Sequence, residues 1–195
     1  MILYYAPGAC SLADHIALHD AGLAFDRCKV DLKAHATEDG RDFARVNPKG
    51  YVPALEMDDG DILTENIAIL SWIADQAPQL APSGAFGRYR LLETLAFIST
   101  EIHKGFKPFF TPGANDADKA KAGETIAGRL NLIAGQVEGP YLFGRSVTVA
   151  DAYLYVMAMW ARQTGLVLPA GLNAWFDAMT ARDAVKLALQ HEGLG

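Results

Sequence analysis

The residue with the clearest chemical potential is Cys10, which follows Pro7-Gly8-Ala9 between a predicted first strand and a predicted first helix. A helix N-terminus favours negative charge, so this position predicts a thiol with a lowered pKa, although an inert loop cysteine is the alternative. The motif is C-x-x-A rather than C-x-x-C, so Cys10 would have to react with an external thiol. Ser11 and Tyr5 offer nearby hydroxyls, but a helix cap and core packing also explain them.

Two further segments could bind an extended ligand. Val52-Pro53 precedes a predicted strand, and a cis bond there would let the Val52 backbone pair with a ligand along the strand edge. An ordinary proline at a strand start is the alternative. Glu65-Asn66 precedes a predicted helix, whose N-terminus suits a carboxylate while Glu65 could hold an ammonium group. Together these charges match an α-amino acid head group, although Asn66 is equally explained as a cap.

Histidines supply two more candidates. His103 and Lys104 stand late in a predicted long helix, beside Phe106 and other phenylalanines, and could provide positive charge or proton transfer. A solvated helix end with core phenylalanines is the alternative. The i, i+4 pair His15 and His19 could chelate zinc. No H-E-x-x-H pattern supports this, so we expect packing or surface roles for the pair and no metal in the protein.

Composition limits the function classes. The chain has 195 residues, 51% apolar, with 17 Lys+Arg against 23 Asp+Glu. This acidic balance argues against nucleic-acid binding, which requires clustered basic residues. No apolar run approaches the roughly 20 residues of a membrane span, so we expect no membrane partner. Only Cys10 and Cys28 are present, and no targeting signal is evident, so we expect a cytoplasmic protein without a disulfide.

Charge and turn residues predict two domains. Residues 1–78 hold 6 Lys+Arg and 13 Asp+Glu, whereas residues 79–195 hold 11 and 10. The change coincides with a segment rich in Pro, Ser and Gly, which is typical of a linker. We therefore predict an acidic domain at 1–78, a linker at 79–85 and a near-neutral domain at 86–195.

The first domain alternates between strand and helix patterns. Strands are predicted at 2–5 and 25–30, and a hairpin is predicted around the Asp58-Asp59-Gly60-Asp61 turn. Helices are predicted at 11–21, within 37–46 and at 67–77. The order suggests a mixed sheet with helices on both faces.

The second domain shows only helical periodicity. Leu91, Leu95, Ile98 and Ile102 recur at helical spacing. Residues 150–161 carry a single charge, which predicts a helix buried centrally in a bundle, beginning with a Thr148–Asp151 capping box. The fold class is therefore α/β followed by all-α.

In order along the chain, five strings resemble the bacterial beta-class glutathione transferases, and together they span nearly all of it. They are Leu3-Tyr4-Tyr5-Ala6-Pro7-Gly8-Ala9-Cys10-Ser11-Leu12, Asn47-Pro48-Lys49-Gly50-Tyr51-Val52-Pro53, Leu63-Thr64-Glu65, Glu101-Ile102-His103-Lys104-Gly105 and Thr148-Val149-Ala150-Asp151-Ala152-Tyr153. The resemblance implies a thioredoxin-like domain followed by an all-helical domain, a cis Val52–Pro53 bond and a homodimer. It also implies transfer of glutathione, as co-substrate, to a hydrophobic electrophile in detoxification.

The resemblance also implies roles for individual residues. Cys10 would face the glutathione sulfur, and Val52 would pair with the cysteinyl backbone. The remaining implied positions fall into two groups, a glutathione-binding group and an apolar co-substrate pocket. The first comprises Glu65, Asn66, Thr100, Glu101 and His103 along the ligand, with His35 near its glycyl carboxylate; the second comprises Phe106, Phe109 and Trp160.

Some positions depart from the family pattern and keep alternatives open. His35 stands where the family often has Lys, and Ala96 where it often has Asn, so glutathione binding could be weakened. One alternative is a glutathione-dependent thiol–disulfide oxidoreductase or reductive dehalogenase that uses Cys10. Another is a non-catalytic binder of apolar ligands. Which of Cys10, Ser11 and Tyr5 stabilises the thiolate stays open from sequence.

Overall fold

The central strand of the sheet is β1 (Ile2–Tyr5), whose residues Leu3, Tyr4 and Tyr5 are buried. When both faces of a strand are covered, its side chains need not alternate between apolar and polar residues. This explains why β1 consists of consecutive apolar and aromatic residues. The computed structural model describes all 195 residues. None of its helices has the length and apolar character required to cross a membrane.

Five strands form one mixed sheet in the order β3-β2-β1-β4-β5. β1 runs parallel to β2 and antiparallel to β4, and both edge strands pair antiparallel with their neighbours. The predicted hairpin is confirmed, with Gly60 in its turn at φ 90°, a backbone conformation that favours glycine. The bounds beyond β1 are β2 Asp26–Asp31, β3 Ala36–Thr37, β4 Ala54–Glu56 and β5 Ile62–Thr64.

Helices α1 (Leu12–Ala21) and α2 (Asn66–Gln76) share one apolar core with Leu3 and Leu55 of the sheet. On the opposite side, a separate small core contains Cys28 and Phe43. The short helix predicted within 37–46 is present as the 3₁₀ helix Phe43–Arg45, which covers that second core. The helices on the two faces are therefore unequal, because this face has a single turn, and the residues just before it, Ala36 and Thr37, pair with β2.

The second half of the chain is helical. α3 (Gly87–Phe97) passes into a π-helical turn at Ile98–Ile102 and a 3₁₀ turn at His103–Phe106. The predicted long helix is therefore interrupted, although its apolar stripe is buried as expected. The helices that follow are α4 Lys107–Phe110, α5 Asp116–Ala134, α6 Val149–Gln163, α7 Ala170–Thr180 and α8 Asp183–Glu192.

The predicted central helix is α6, in which every residue from Val149 to Trp160 except Met159 is buried. Its predicted capping box is confirmed. The buried Asp151 carboxylate accepts hydrogen bonds from the Thr148 N–H and hydroxyl at 2.8 and 2.7 Å. It also accepts from the Leu142 N–H at 2.8 Å and from the Trp175 indole at 2.9 Å, so it fastens three segments together.

One apolar core runs from the sheet into the helical part of the chain. It contains Leu12 and Ile16 of α1 together with Leu154 of α6 and Val185 of α8. Helix α8 thus brings the end of the chain back onto α1. The boundary between the two parts is consequently a packed interface, and the candidate site lies along it.

Candidate functional site

A cleft of about 330 Å³ opens where the sheet end meets the helical part. Several of the residues predicted to form the site converge on it. Its lining comprises Cys10, Tyr51, Val52, Pro53, Glu65, Asn66, Ile67, Ser99, His103, Lys104 and Tyr153.

Cys10 lies in the loop between β1 and α1, and hydrogen bonds with the helical part fix this loop at Gly8. Gly8 has φ 70°, which favours glycine, and both of its polar backbone groups are engaged. Its N–H donates to Glu192 Oε2 at 2.8 Å, and its carbonyl accepts from the Trp160 indole N–H at 2.8 Å. The partly exposed Cys10 thiol then points to the Val52 carbonyl, at 3.4 Å from Sγ to oxygen.

The expectation of a lowered Cys10 pKa is wrong for the free protein. Burial raises the pKa of this thiol to about 12, and the N–H groups of Cys10 and Ser11 offset only part of the effect. Desolvation disfavours the charged thiolate more than one helix start stabilises it. Cys10 is therefore a neutral thiol at neutral pH. Both cysteines, Cys10 and Cys28, are free thiols in the structure.

The Val52–Pro53 peptide bond is cis, which confirms the expectation. The segment before it is held by the Asn47 side chain, whose amide donates to the Tyr51 carbonyl at 2.6 Å. Val52 thereby reaches the cleft next to the Cys10 thiol, two residues before strand β4 begins. This position leaves a backbone edge available to an extended ligand.

Glu65 immediately precedes helix α2 and adopts φ 79° and ψ 127°, a conformation that a non-glycine residue rarely occupies. Its carboxylate accepts from Lys49 Nζ at 2.5 Å and from the Tyr51 hydroxyl at 2.7 Å, and these hydrogen bonds lower its pKa. Strained backbone concentrates at functional sites. An ionised carboxylate therefore stands beside the free N–H groups at the start of α2.

Asn66 plays a different part from the expected cap. Its side chain is buried, and its amide nitrogen donates to the Cys10 carbonyl at 2.9 Å and to Asp14 Oδ2 at 3.0 Å. Burial raises the Asp14 pKa well above its usual value. The Asn66 side chain thus holds the Cys10 loop in place through the Cys10 carbonyl, while the Asn66 backbone N–H remains at the start of α2.

His103 enters the cleft from the π-helical and 3₁₀ turns, irregularities that often accompany functional sites. Its Nδ1 lies 2.7 Å from the Tyr153 hydroxyl, and Ser99 also lines the cleft. Burial lowers the His103 pKa to about 4. The expected cationic role is therefore wrong at pH 7, where His103 is neutral and Lys104 is the cation on the cleft wall.

An aromatic group continues from His103 away from the cleft. The Trp160 ring meets the His103 ring at 5.0 Å and the Phe110 ring at 4.9 Å between centroids, both edge to face. Phe106 has no exposed surface, so it supports this wall from behind rather than lining a pocket as expected. Phe109 is half-buried, and Phe110, which the sequence analysis did not single out, is 54% exposed.

Several predicted residues do not line the cleft. Tyr5 packs against the His15 ring at 5.8 Å, and the buried Ser11 hydroxyl bonds the Ala6 backbone, so neither hydroxyl reaches the cleft. Glu101 pairs with Arg129 at 2.9 Å. Two others lie elsewhere on the surface, namely His35 beside Gly50 and Thr100, whose hydroxyl donates to the Ala96 carbonyl.

Sequence reasoning missed Tyr153, Ser99 and Tyr51 as cleft residues. The signal for Tyr153 was present, because a hydroxyl within the almost uniformly apolar helix α6 requires a polar partner. Ser99 carried no such signal, since its direction depends on the π-helical turn.

Family models match both parts of the chain. A model described as the glutathione S-transferase N-terminal domain matches residues 9–76, and the corresponding C-terminal domain matches residues 97–183. The chain is 41% identical over 201 residues to glutathione S-transferase GstA of Escherichia coli O157:H7, with both proteins covered completely. The chain therefore belongs to the glutathione S-transferase family.

Solved structures confirm the fold class and the resemblance to the bacterial beta class. A sphingomonad glutathione S-transferase complexed with glutathione is 46% identical, with a TM-score of 0.93 and complete coverage of both chains. A beta-class glutathione S-transferase from Sphingomonas chungbukensis is 45% identical, again with a TM-score of 0.93 and complete coverage. The expected architecture, a thioredoxin-like domain followed by an all-helical domain, is confirmed.

Proposed function

We propose that this chain transfers glutathione to hydrophobic electrophiles, with the glutathione sulfur next to Cys10. The observation that carries the proposal is the convergence of Cys10, the Val52 backbone and Glu65 on one cleft. The sphingomonad relative was solved with glutathione bound, which supports the same ligand here.

Each part of glutathione has a chemical counterpart in the cleft. The Glu65 carboxylate suits the γ-glutamyl ammonium group, and the N–H groups at the start of α2 suit the adjacent carboxylate. The Val52 backbone suits the cysteinyl amide. Lys104 provides positive charge for a carboxylate of this anionic peptide.

The same geometry favours the thiolate of the bound peptide. A neutral Cys10 thiol can donate its S–H, and the hydroxyl of Tyr153 and the neutral ring of His103 add polar groups to the cleft. Hydrogen bonds to the charged form lower a thiol pKa. The thiolate attacks carbon: with an aryl halide or an epoxide the S–C bond forms as the bond to the halide or to the ring oxygen breaks, and with an enone it forms as the C=C π bond breaks. The thiol proton goes to solvent, and the alkoxide or enolate left by an epoxide or enone takes a proton from solvent. Trp160 and Phe110 offer an apolar wall for the electrophile.

The test is a panel of activated aryl halides, epoxides and enones, assayed with and without glutathione. We expect saturable, glutathione-dependent turnover of at least one compound. We also expect Cys10→Ala to retain conjugation within about tenfold, because one neutral hydrogen bond is worth about 1 kcal/mol. Absence of thiol-dependent turnover across the panel would refute the transferase assignment.

The second candidate is a thiol–disulfide oxidoreductase or reductive dehalogenase in which Cys10 forms a mixed disulfide with glutathione. Partial exposure of Cys10 inside the cleft supports this candidate. Complete loss of disulfide exchange and of dehalogenation in Cys10→Ala, with conjugation absent from the wild type, would select it. A non-catalytic binder would instead show, by calorimetry, tight uptake of apolar dyes and no heat with glutathione.

We also propose that the active form is a homodimer in the cytoplasm. Phe86 and Tyr89 at the start of α3 are in contact with each other and are 72% and 65% exposed. Exposed aromatic side chains that lie together often mark a surface that binds another protein chain, which supports the dimer. Two free cysteines suit a reducing compartment. Light scattering coupled to size exclusion should give twice the 21.0 kDa chain mass; the chain mass itself would contradict the dimer.

A further inference from the structure

Three histidine rings meet where helix α8 packs on helix α1, away from the cleft. His15 and His19 lie one turn apart on α1, and His191 lies in the last turn of α8. Their ring centroids are 5.0, 5.3 and 5.6 Å apart. One ring nitrogen of each residue lies within 4.8 Å of those of the other two.

These rings have nitrogens that the protein does not satisfy. His15 Nε2, His19 Nε2 and His191 Nδ1 are all buried, and none has a hydrogen-bond partner among the protein groups. Buried polar atoms normally have one. Three unpartnered nitrogens in one cluster therefore point to a common ligand that accepts three lone pairs.

The remaining contacts of His15 resemble those of a metal-bound histidine. Its Nδ1 lies 2.9 Å from Glu192 Oε1, and both side chains are fully buried. A carboxylate on the far ring nitrogen fixes the tautomer and directs the other nitrogen toward a metal ion. The Phe25 ring packs edge-on against His15 at 5.6 Å and so shields one side of the cluster.

We propose that His15, His19 and His191 bind one late first-row divalent metal ion such as Zn²⁺, with Glu192 orienting His15. Imidazole nitrogens suit this class of ion, and three ligands leave a fourth position for water or another group. Zn–N bonds of about 2.0–2.1 Å place tetrahedral nitrogens roughly 3.4 Å apart. The partly exposed rings of His19 and His191 can close by the ångström or so that this needs.

The site would couple the chain end to the catalytic loop. Glu192 accepts the Gly8 N–H with its second oxygen, and Gly8 lies two residues before Cys10. An ion at the cluster would therefore fasten α8 to α1 and support the loop through one carboxylate. The i, i+4 pair was visible in the sequence and was set aside for want of an H-E-x-x-H pattern, whereas His191 stands far along the chain and joins the pair only in the fold.

The test is equilibrium dialysis of tag-free, chelator-treated protein against Zn²⁺ at pH 7.5. We expect about one ion per wild-type chain, with the affinity lowered at least tenfold in His191→Gln and in His19→Gln. His35→Gln, which removes an exposed histidine outside the cluster, is the matched control and should bind zinc as the wild type does. Equal zinc binding in all four proteins would overturn the proposal.

A measurement on the wild type alone covers the case in which a variant does not fold. Co²⁺ in a site with three imidazole ligands and low coordination absorbs strongly in the visible range. We expect this absorption at one equivalent and its loss on adding Zn²⁺. Only the weak spectrum of hydrated Co²⁺, together with an unchanged thermal midpoint in Zn²⁺, would show that water rather than a metal fills the cluster.

Discussion

The reactivity of Cys10 decides between a thiol that acts by itself and one that assists a bound thiol. Burial raises the Cys10 pKa from 9.0 to about 12 in the free protein. At pH 7.5 this shift lowers the thiolate fraction roughly 1000-fold. A more basic thiolate is a better nucleophile by about 20-fold over the same range, because the Brønsted coefficient is about 0.4–0.5. The net expectation is alkylation roughly 50-fold slower than that of an ordinary thiol.

The assay is iodoacetamide alkylation followed peptide by peptide by mass spectrometry, from pH 6 to 10. Unfolding in guanidinium is the perturbation, because it returns the same thiol to water. Folded Cys10 should react roughly 50-fold more slowly than unfolded Cys10 at pH 7.5, with no plateau below pH 10. Cys28, buried on the other face of the sheet, should also be protected. A plateau in the Cys10 rate below pH 8 would mean that the helix start outweighs burial, and it would favour the oxidoreductase.

Three other changes test separate parts of the structure. Glu65→Gln should raise the KM for glutathione about 10- to 100-fold with little change in kcat, since a hydrogen bond to a charged group is worth about 1.5–3 kcal/mol; exposed Glu124→Gln should change neither. Because His103 binds its proton with a pKa of about 4 when folded and 6.5 when unfolded, the free energy of unfolding should fall as pH drops through this range, by about 2.5 kcal/mol at pH 4.5. Urea melts of His103→Gln should lack that share of the pH dependence, and an unchanged dependence would contradict the assignment. Asp151→Ala should cost about 4 kcal/mol, or roughly 10 °C in melting temperature, because it leaves buried donors unpaired, whereas exposed Asp177→Ala should melt near the wild type.

The local elements were predictable because their signals are local. The apolar strand β1, the acidic hairpin turn, and the Thr148–Asp151 cap each depend on neighbouring residues, and each is present in the structure. The segment 37–46 was predictable only in part. Its short helix is present as the 3₁₀ helix Phe43–Arg45, but the pairing of Ala36 and Thr37 with β2 depends on a contact along the sheet that the local pattern does not show.

The cleft was predictable in its components and not in its electrostatics. The resemblance to the beta-class glutathione transferases implied that Cys10, Val52 and Glu65 form one site, and all three line the cleft. Their protonation depends on burial, which a sequence does not show. The helix start at Cys10 and the basic character of His103 both predicted charge, yet desolvation keeps both side chains neutral.

The acidity of the first 78 residues gains a physical meaning from this arrangement. An anionic peptide should be repelled by that part of the chain, so its binding depends on donors at short range. The start of α2 supplies some of them, and Lys104 comes from the helical part. The helical part also fixes the position of the Cys10 thiol. Glu192 accepts a hydrogen bond from the Gly8 N–H, and the Trp160 indole donates one to the Gly8 carbonyl. Neither part of the chain could position Cys10 alone. Substitutions in α8 should therefore change the position and the reactivity of the Cys10 thiol.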